Sequence, residues 1–306
     1  MSQGPIDLET TLSAINLLDH HEVDWKRVRR TAYLVHQHLH YEYPGPIYDL
    51  KQRLMLIPPD QYGDQRKVVH RLEVSEGPSE ISTLYDSFGN VEVNLYVPYV
   101  EHSIDFEAWI VAERRVGEFP HLVAATWLTD PCFLEPSALT QPDDALRQVA
   151  ATLMANGKPG IALAEQINDW VYHHIHYAHD VTDVHTTAAE ILTLKQGVCQ
   201  DYAHLMLALC RLCGLPARYV SGHLLGEGGT HAWVEVLFPI TDQPEQAIVI
   251  PFDPTHGRQT SLSYLTIAVG RDYFDVAPTS GTFRAAYRGQ LSAKKHVGLT
   301  MLEYST

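Results

Sequence analysis

The sequence predicts an α+β protein, in which an N-terminal antiparallel β-sandwich precedes a core of helices packed on an antiparallel sheet. Three patterns indicate this fold class. Over residues 31–113, short segments of alternating apolar and polar residues are separated by Gly, Pro, Asn and Asp, which is typical of a sandwich. Residues 143–212 show helical periodicity, and alternation returns over 217–252. The chain has 306 residues, 45% of them hydrophobic, and can bury the core of such a protein.

We expect four parts along the chain. Residues 1–28 form an N-terminal extension with a short helix over 8–18, and residues 29–115 form the β-sandwich domain. Residues 116–142 are a connector, because their prolines prevent one long helix or strand. Residues 143–306 form the core, which carries the candidate catalytic residues.

The N-terminal domain contains five segments that predict strands. They alternate in polarity or are rich in β-branched residues. These segments are 50–57, 68–74, 80–85, 91–97 and 103–111. The turn residues DSFGN at 86–90 connect the third to the fourth and predict a hairpin.

Four helices and three strands are predicted in the core. The helices cover 143–154, 161–175, 187–194 and 199–212, and the strands 217–223, 231–238 and 247–252. The third helix begins at a capping box formed by Thr187 and Glu190. The fourth has apolar residues at three- and four-residue steps. It ends before Gly214, which favours a left-handed cap, and Pro216, which cannot continue a helix.

Composition excludes several classes of partner. The chain has 37 acidic and 22 basic residues and a net charge of −15, which argues against binding to nucleic acid or to an anionic membrane. The first residues do not form a signal peptide, and no apolar run is long enough to span a membrane, so we expect a cytoplasmic protein. The four cysteines are then reduced thiols. Composition does not set the oligomeric state.

Cys199 is the strongest candidate for a functional residue. It begins the fourth helix of the core, where free backbone amides and the positive end of the helix favour a thiolate. The same amides can donate hydrogen bonds to an oxyanion. Gly197, two residues earlier, is expected to let a substrate backbone approach the thiol.

His231 and Asp253 follow Cys199 in the chain, each at the end of a predicted strand. A thiol, an imidazole and a carboxylate are the parts of an activated nucleophile: the thiolate attacks, the imidazole moves the proton and the carboxylate orients the imidazole. The pattern predicts that neighbouring strands bring His231 and Asp253 opposite the helix start. A peptide-binding module without catalysis remains the alternative.

Several separated motifs of this chain closely resemble those of the bacterial transglutaminase-like proteins, which are often described as predicted cysteine proteases. The resemblance covers roughly residues 30–300, and its N-terminal strands resemble the β-rich domain that precedes the core in that group. The motifs are YDSFGN (85–90), GVCQDYAH (197–204), LPARYVSG (215–222), HAWVE (231–235), FDPT (252–255) and GRDYFDVAP (270–278).

The resemblance implies a papain-like, transglutaminase-like core with a Cys-His-Asp triad. By motif match, Cys199 would be the nucleophile, His231 the acid and base, and Asp253 the orienting residue. The implied activity is acyl transfer on a peptide or protein amide through a thioester. We favour hydrolysis of the protease or amidase type over cross-linking to an amine acceptor, because no motif identifies an amine-binding site. The chemistry needs no cofactor and no metal.

Further residues are candidates for binding substrate or the oxyanion, or for lining the cleft. Residues upstream of Cys199 could supply a second oxyanion donor, and Gln200 could hold the loop. Trp233 could pack beside His231, and a turn near residue 272 could rim the cleft. The candidates are Tyr177, Thr187, Gln200, Trp233, Asp272 and Tyr273.

Five histidines lie close together in the sequence between residues 173 and 185. His173 and His174 are adjacent on a predicted helix and therefore point apart, and an acidic general base does not accompany them in the metalloprotease pattern. We therefore predict no metal site.

Overall fold

The computed structural model describes residues 17–117, 121–156 and 159–305. Most of the helix predicted over 8–18 lies outside these residues. The strands are β1 (Val28–Glu42), β2 (Ile47–Leu54), β3 (Gln61–Tyr62), β4 (Gln65–Val74), β5 (Glu80–Tyr85), β6 (Val91–Val100), β7 (Ser103–Arg115), β8 (Leu122–Ala124), β9 (His176–Tyr177), β10 (Gln196–Gly197), β11 (Ala217–Leu224), β12 (His231–Pro239), β13 (Gln246–Asp253), β14 (Arg258–Gln259), β15 (Tyr264–Gly270), β16 (Thr279–Arg284) and β17 (Gln290–Tyr304). The helices are α1 (Pro131–Leu134), α2 (Asp144–Asn156), α3 (Ile161–His174), α4 (Ala188–Leu194), α5 (Cys199–Leu212) and α6 (Tyr273–Val276).

Two antiparallel sheets form the N-terminal domain, as predicted. One has the strand order β17-β1-β7-β4-β3 and the other the order β16-β2-β6-β5. Alternate residues of each sheet face a shared apolar core. In β6, for example, Val91, Val93 and Leu95 are buried while the residues between them are partly exposed.

The last two strands belong to this sandwich and not to the core, to which we had assigned residues 143–306. β16 pairs with β2, and β17 pairs with β1 along nearly its whole length. β17 could not be predicted from the sequence because it is an edge strand. Residues 290–294 are all exposed, so the alternation of apolar and polar residues that marks a half-buried strand is weak. The chain therefore returns to its first sheet after completing the core.

The core sheet has the order β14-β13-β12-β11-β15, with β8 added beside β13. Helix α5 packs on β11 and β12 and is covered by α2, α3 and α4. As a result residues 201–211 are buried around the whole helix. Its end follows the prediction, because Gly214 has a φ of 72° and Pro216 follows two residues later. The core is thus an α+β structure centred on α5.

Side-chain amides of the sandwich bind the edge strand β15 of the core sheet. Asn90, from the predicted hairpin turn, donates to the carbonyl of Val269 at 2.7 Å and accepts from its amide at 2.8 Å. Gln65 makes the same pair of bonds with Thr266, at 2.8 and 2.9 Å. The two amides satisfy backbone groups that an edge strand leaves unpaired, and they fix the sandwich against the core.

Among the described residues, no helix is both long enough and apolar enough to cross a lipid bilayer.

Candidate active site

Cys199 is the first residue of α5 and is partly exposed. Residue 198 caps the helix in extended conformation, so the Cys199 amide has no acceptor within the helix and remains free to donate. The thiol Sγ lies 4.0 Å from the carbonyl oxygen of Thr230, the residue before His231. The helix start and the beginning of β12 therefore face each other across the thiol.

The turn before Cys199 is held by a carboxylate. Asp201 accepts hydrogen bonds from the Val198 amide at 2.8 Å and from the Thr182 hydroxyl at 2.7 Å. A Cβ on Gly197 would collide with the Asp201 side chain. The glycine therefore makes room for the carboxylate that caps the cysteine helix, a role that the sequence analysis did not foresee.

His231 opens β12, where it pairs with Gly222 of β11, and its side chain is buried. Its Nε2 lies 2.8 Å from Asp253 Oδ2. Burial lowers the pKa of His231, but contacts with Asp253, Cys199 and Glu227 outweigh it and raise the pKa well above the usual value. With Nε2 on Asp253, Nδ1 is the ring nitrogen left to exchange a proton with a thiol.

Asp253 ends β13 and is fully buried. Its Oδ2 accepts from the Tyr264 hydroxyl at 2.6 Å and lies 2.7 Å from His256 Nδ1, and its Oδ1 accepts from the Thr255 amide at 2.9 Å. Burial works to raise the pKa of Asp253, and the hydrogen bonds from His231, His256 and Tyr264 reverse this and hold it well below its usual range. The group is therefore a carboxylate that accepts from both imidazoles.

Two titratable neighbours of His231, Glu227 and His256, were not identified from the sequence. Glu227 Oε2 lies 3.0 Å from His231 Nδ1, and its Oε1 lies 3.5 Å from His256 Nε2. Together with Asp253, these side chains form a closed ring of two carboxylates and two imidazoles. Their positions in the sequence could have indicated that they lie near the proposed triad, because Glu227 precedes His231 by four residues and His256 follows Asp253 by three.

Lys295 of β17 is a third neighbour that the sequence did not reveal. It lies opposite the buried Gln37 of β1, whereas Lys294 lies opposite His38 on the more exposed face. Burial lowers the pKa of Lys295 to about 8, and the charge of Cys199 acts in the opposite direction. The ammonium group is thus within electrostatic reach of the thiol, although the two residues belong to different domains.

The secondary candidates divide into two groups. Tyr177 pairs with Gly197 through β9 and β10 and is exposed. Its pKa is raised first by desolvation and then by the charge of Cys199. Gln200 is partly exposed in the first turn of α5. Both lie near the thiol and remain candidates for binding substrate or the oxyanion.

Thr187 and Asp272 are occupied elsewhere. Thr187 caps α4 through a capping box with Glu190, as its sequence motif indicates, so its hydroxyl is used locally. Asp272 is buried and accepts from the Phe274 amide at 2.9 Å to cap α6, so it does not rim a cleft as we had expected. Tyr273 packs against the core beside α5, and its amide donates to His204 at 3.3 Å.

Trp233 is buried behind His231, with ring centroids 6.2 Å apart. It lines a cavity of about 410 Å³ together with Tyr264 and Glu235, and neither Cys199 nor His231 lines this cavity. Trp233 is therefore packing behind the imidazole rather than a wall of the thiol's cleft.

All four cysteines are free thiols, and Cys210 is fully buried. The histidines of residues 173–185 do not gather into a ligand set within the described part of the chain; the groups that do are Asp19, His20 and His21 at the surface, and His231, Asp253 and His256.

Two family models match the chain. One, described as the transglutaminase-like superfamily, matches residues 147–254. The other, described as the bacterial transglutaminase-like N-terminal region, matches residues 33–113. The first match contains α5 and the strands that carry His231 and Asp253, and the second contains most of the sandwich.

Proteins of similar sequence align with the chain over longer stretches than either family model does. The chain is 28% identical to the uncharacterized protein Rv2569c of Mycobacterium tuberculosis over 248 residues, which cover 71% of this chain and 76% of the relative. It is 33% identical to the uncharacterized protein ML0607 of Mycobacterium leprae over 160 residues, 49% of this chain and 54% of the relative.

A crystal structure from Cytophaga hutchinsonii, named as that of a "Putative Cysteine Protease", superposes with a TM-score of 0.69 and 23% identity over 92% of this chain and 93% of that one. At this identity the likeness shows a common fold. Both parts of the chain match a family model, and they lie in the predicted order. The chain therefore contains a transglutaminase-like core, preceded by a bacterial transglutaminase-like N-terminal region.

Proposed function

We propose that the protein is a thiol acyl-transfer enzyme that cleaves amide or peptide bonds through a thioester on Cys199. The position of the His231 ring carries the proposal. Its Nε2 is held by Asp253 at 2.8 Å, which leaves Nδ1 to exchange a proton with Cys199, a residue that contributes to raising the pKa of the ring. A cysteine nucleophile needs this arrangement, because one ring nitrogen fixes the orientation while the other moves the proton.

The reaction proceeds in two halves. Cys199 Sγ attacks the carbonyl carbon, and the bond to the amine breaks as Nδ1 of His231 gives its proton to the departing nitrogen. Water then attacks the thioester and gives a proton to Nδ1, the sulfur–carbon bond breaks, and an acid is released. Asp253 keeps the same contact with Nε2 throughout.

The oxyanion that forms in each half is bound at the start of α5. The Cys199 amide supplies one donor, since it has no acceptor within the helix. We propose Tyr177 or Gln200 for the second donor, because Tyr177 pairs with Gly197 and is exposed, and Gln200 follows Cys199 and is partly exposed.

The substrate is a peptide or protein amide. We favour hydrolysis over transfer to an amine, because Cys199 and Glu227, two neighbours of the buried imidazole, are partly exposed to solvent. We place the protein in the cytoplasm, a location that fits four unpaired cysteines.

A peptide-binding module on the same fold is the second candidate, and thiol labelling separates the two without a substrate. An activated Cys199 reacts with iodoacetamide near neutral pH faster than Cys132, which is more exposed and whose pKa is raised by burial and Asp130. His231→Ala slows Cys199 alone. Equal slow labelling of both cysteines would favour the binding module.

The function itself is tested by incubating the protein with peptide libraries, with and without methylamine, and identifying products by mass spectrometry. Cleavage, deamidation and methylamide formation give different masses. We expect Cys199→Ala to fold and to lose all turnover, while the matched thiol variant Cys132→Ala keeps it. Turnover by Cys199→Ala would place the chemistry elsewhere.

A further inference from the structure

Glu227 lies beside His231 because of the turn between β11 and β12. Its amide donates to the carbonyl of Leu224 at 3.1 Å, and Gly226 makes the turn with a φ of 93°, which a residue without a side chain adopts easily. A Cβ on Gly226 would collide with the ring of His20, so that ring packs directly on the turn. The turn therefore presents the Glu227 side chain to His231, four residues later in the chain.

The contact between Glu227 and His231 is one of charge and not an aligned hydrogen bond. Glu227 Oε2 lies 3.0 Å from His231 Nδ1, yet among the described residues Nδ1 has no hydrogen-bond partner of good geometry. The carboxylate therefore acts on the ring from beside the N–H direction and leaves that direction open to a reacting atom. His256 Nε2 lies 3.5 Å from the other oxygen, Oε1, and gives the carboxylate a second contact.

Asp253, the carboxylate at the opposite nitrogen, divides its charge among several donors. Its Oδ2 accepts from His231 Nε2 at 2.8 Å, from His256 Nδ1 at 2.7 Å and from the Tyr264 hydroxyl at 2.6 Å. Glu227 supplies a second negative charge, at Nδ1. Burial works to raise the pKa of Glu227, and its contacts with His231 and His256 reverse this and hold the pKa below its usual value, so the group is a carboxylate.

We propose that Glu227 is a positioning residue of the thiol reaction, and that its charge keeps His231 protonated at Nδ1 to a higher pH than Asp253 alone would. The purpose of this contact rests on the proposed function, in which the proton passes from Nδ1 to the departing nitrogen as the carbon–nitrogen bond breaks. Glu227 keeps its own electron pairs and forms no bond in this step. It acts on the substrate only through the ring.

The direction and the size of the effect follow from the charge. A negative charge favours the imidazolium, which is lost as the pH rises through the pKa of the folded ring. An opposite charge within about 4–6 Å changes a pKa by about 1–3, and a partly exposed carboxylate such as Glu227 belongs at the low end of this range. Replacing Glu227 leaves the other titratable neighbours of the ring in place, namely Cys199 of α5, Tyr177 of β9, His223 of β11, Asp253 of β13, Tyr264 of β15 and His256.

The test reads the protonation of the ring directly and needs no substrate. Long-range ¹H–¹⁵N spectra of protein with ¹⁵N-labelled histidine are recorded against pH in a Cys199→Ala background, where the thiol cannot share the proton, and His231→Gln assigns the signals. We expect Glu227→Gln to lower the midpoint of the His231 titration by about one pH unit. Glu227→Asp, which keeps the charge on a shorter side chain, should lower it less.

The matched control is Glu245→Gln, which removes an exposed carboxylate just before β13, at the end of that strand opposite Asp253, and should leave the midpoint unchanged. The buried ring of His204, whose pKa burial lowers to about 3, stays neutral in every folded variant and reports folding in the same spectra. A midpoint that does not move in Glu227→Gln, or a ring that stays protonated to about pH 10 with and without Glu227, would overturn the proposal. Absence of turnover by the parent protein would instead refute the proposed function, which this titration does not measure.

Discussion

Charges from distant parts of the chain surround Cys199. Asp253 and Glu227 contact the imidazole that faces the thiol, and Lys295 adds an ammonium group from β17. Cys199, His231 and Asp253 could be proposed as a catalytic set from residue type and chain order, because each stands at the end of a predicted element. Lys295 could not, since only the pairing of β17 with β1 brings it near the thiol.

The charge of Lys295 has a measurable effect on which reagents reach the thiol. Lys295→Met should lower the ratio of labelling rates with anionic iodoacetate and neutral iodoacetamide by about 2- to 5-fold at Cys199, as expected for one charge at several ångströms. Lys294→Met is the matched control, because its side chain lies on the other face of β17. Equal slowing by both reagents would mean that Lys295 acts on the thiol itself and not on the approaching anion.

At the scale of elements, local signals predicted most of the core. The capping box of α4 and the end of α5 at Gly214 each lie within a few residues of sequence, and the structure has both. β17 carries no such signal, because an edge strand leaves many side chains in water. For the same reason the sequence does not reveal the contact of Gly197 with Asp201, which forms only once the helix start has folded.

The contact between Gly197 and Asp201 predicts the effect of adding one methyl group. Gly197→Ala should lower the free energy of unfolding by about 1–3 kcal/mol, because the new Cβ displaces the capping carboxylate. Urea denaturation measures this loss, and iodoacetamide labelling should show a slower Cys199. Gly77→Ala is the control, since its Cβ would meet no atom within 4 Å. An unchanged Gly197→Ala variant would show that the carboxylate can move without cost.

At the scale of the whole molecule, buried neutral histidines link stability to pH. Burial lowers the pKa of His204 and of His223 to about 3 in the folded protein, whereas an unfolded histidine has a pKa of about 6.5. Between these values the unfolded chain binds more protons than the folded one. Stability is therefore complete above the unfolded pKa and is lost as the pH falls toward the folded pKa.

The lowered pKa values of His204 and His223 predict that the protein loses stability in acid. Each of the two histidines should remove up to about 1.4 kcal/mol per pH unit below pH ~6.5. Urea denaturation at about pH 7.5 and about pH 5 measures the difference, and His223→Gln should reduce it by up to about 2 kcal/mol. The exposed His179→Gln is the control. A difference that stays the same in His223→Gln would mean that this ring is not the group that takes up the proton.

The return of β17 to the first sheet has a consequence for how the protein is made. Translation proceeds at about 5–20 residues per second, so β1 leaves the ribosome roughly 10–50 s before its outer neighbour is synthesised. During this interval the nascent sheet has an open edge, and Lys295 has not yet been added to the peptide. The complete surroundings of the nucleophile therefore arise only after β17 has been synthesised, and a chain interrupted before β17 lacks them.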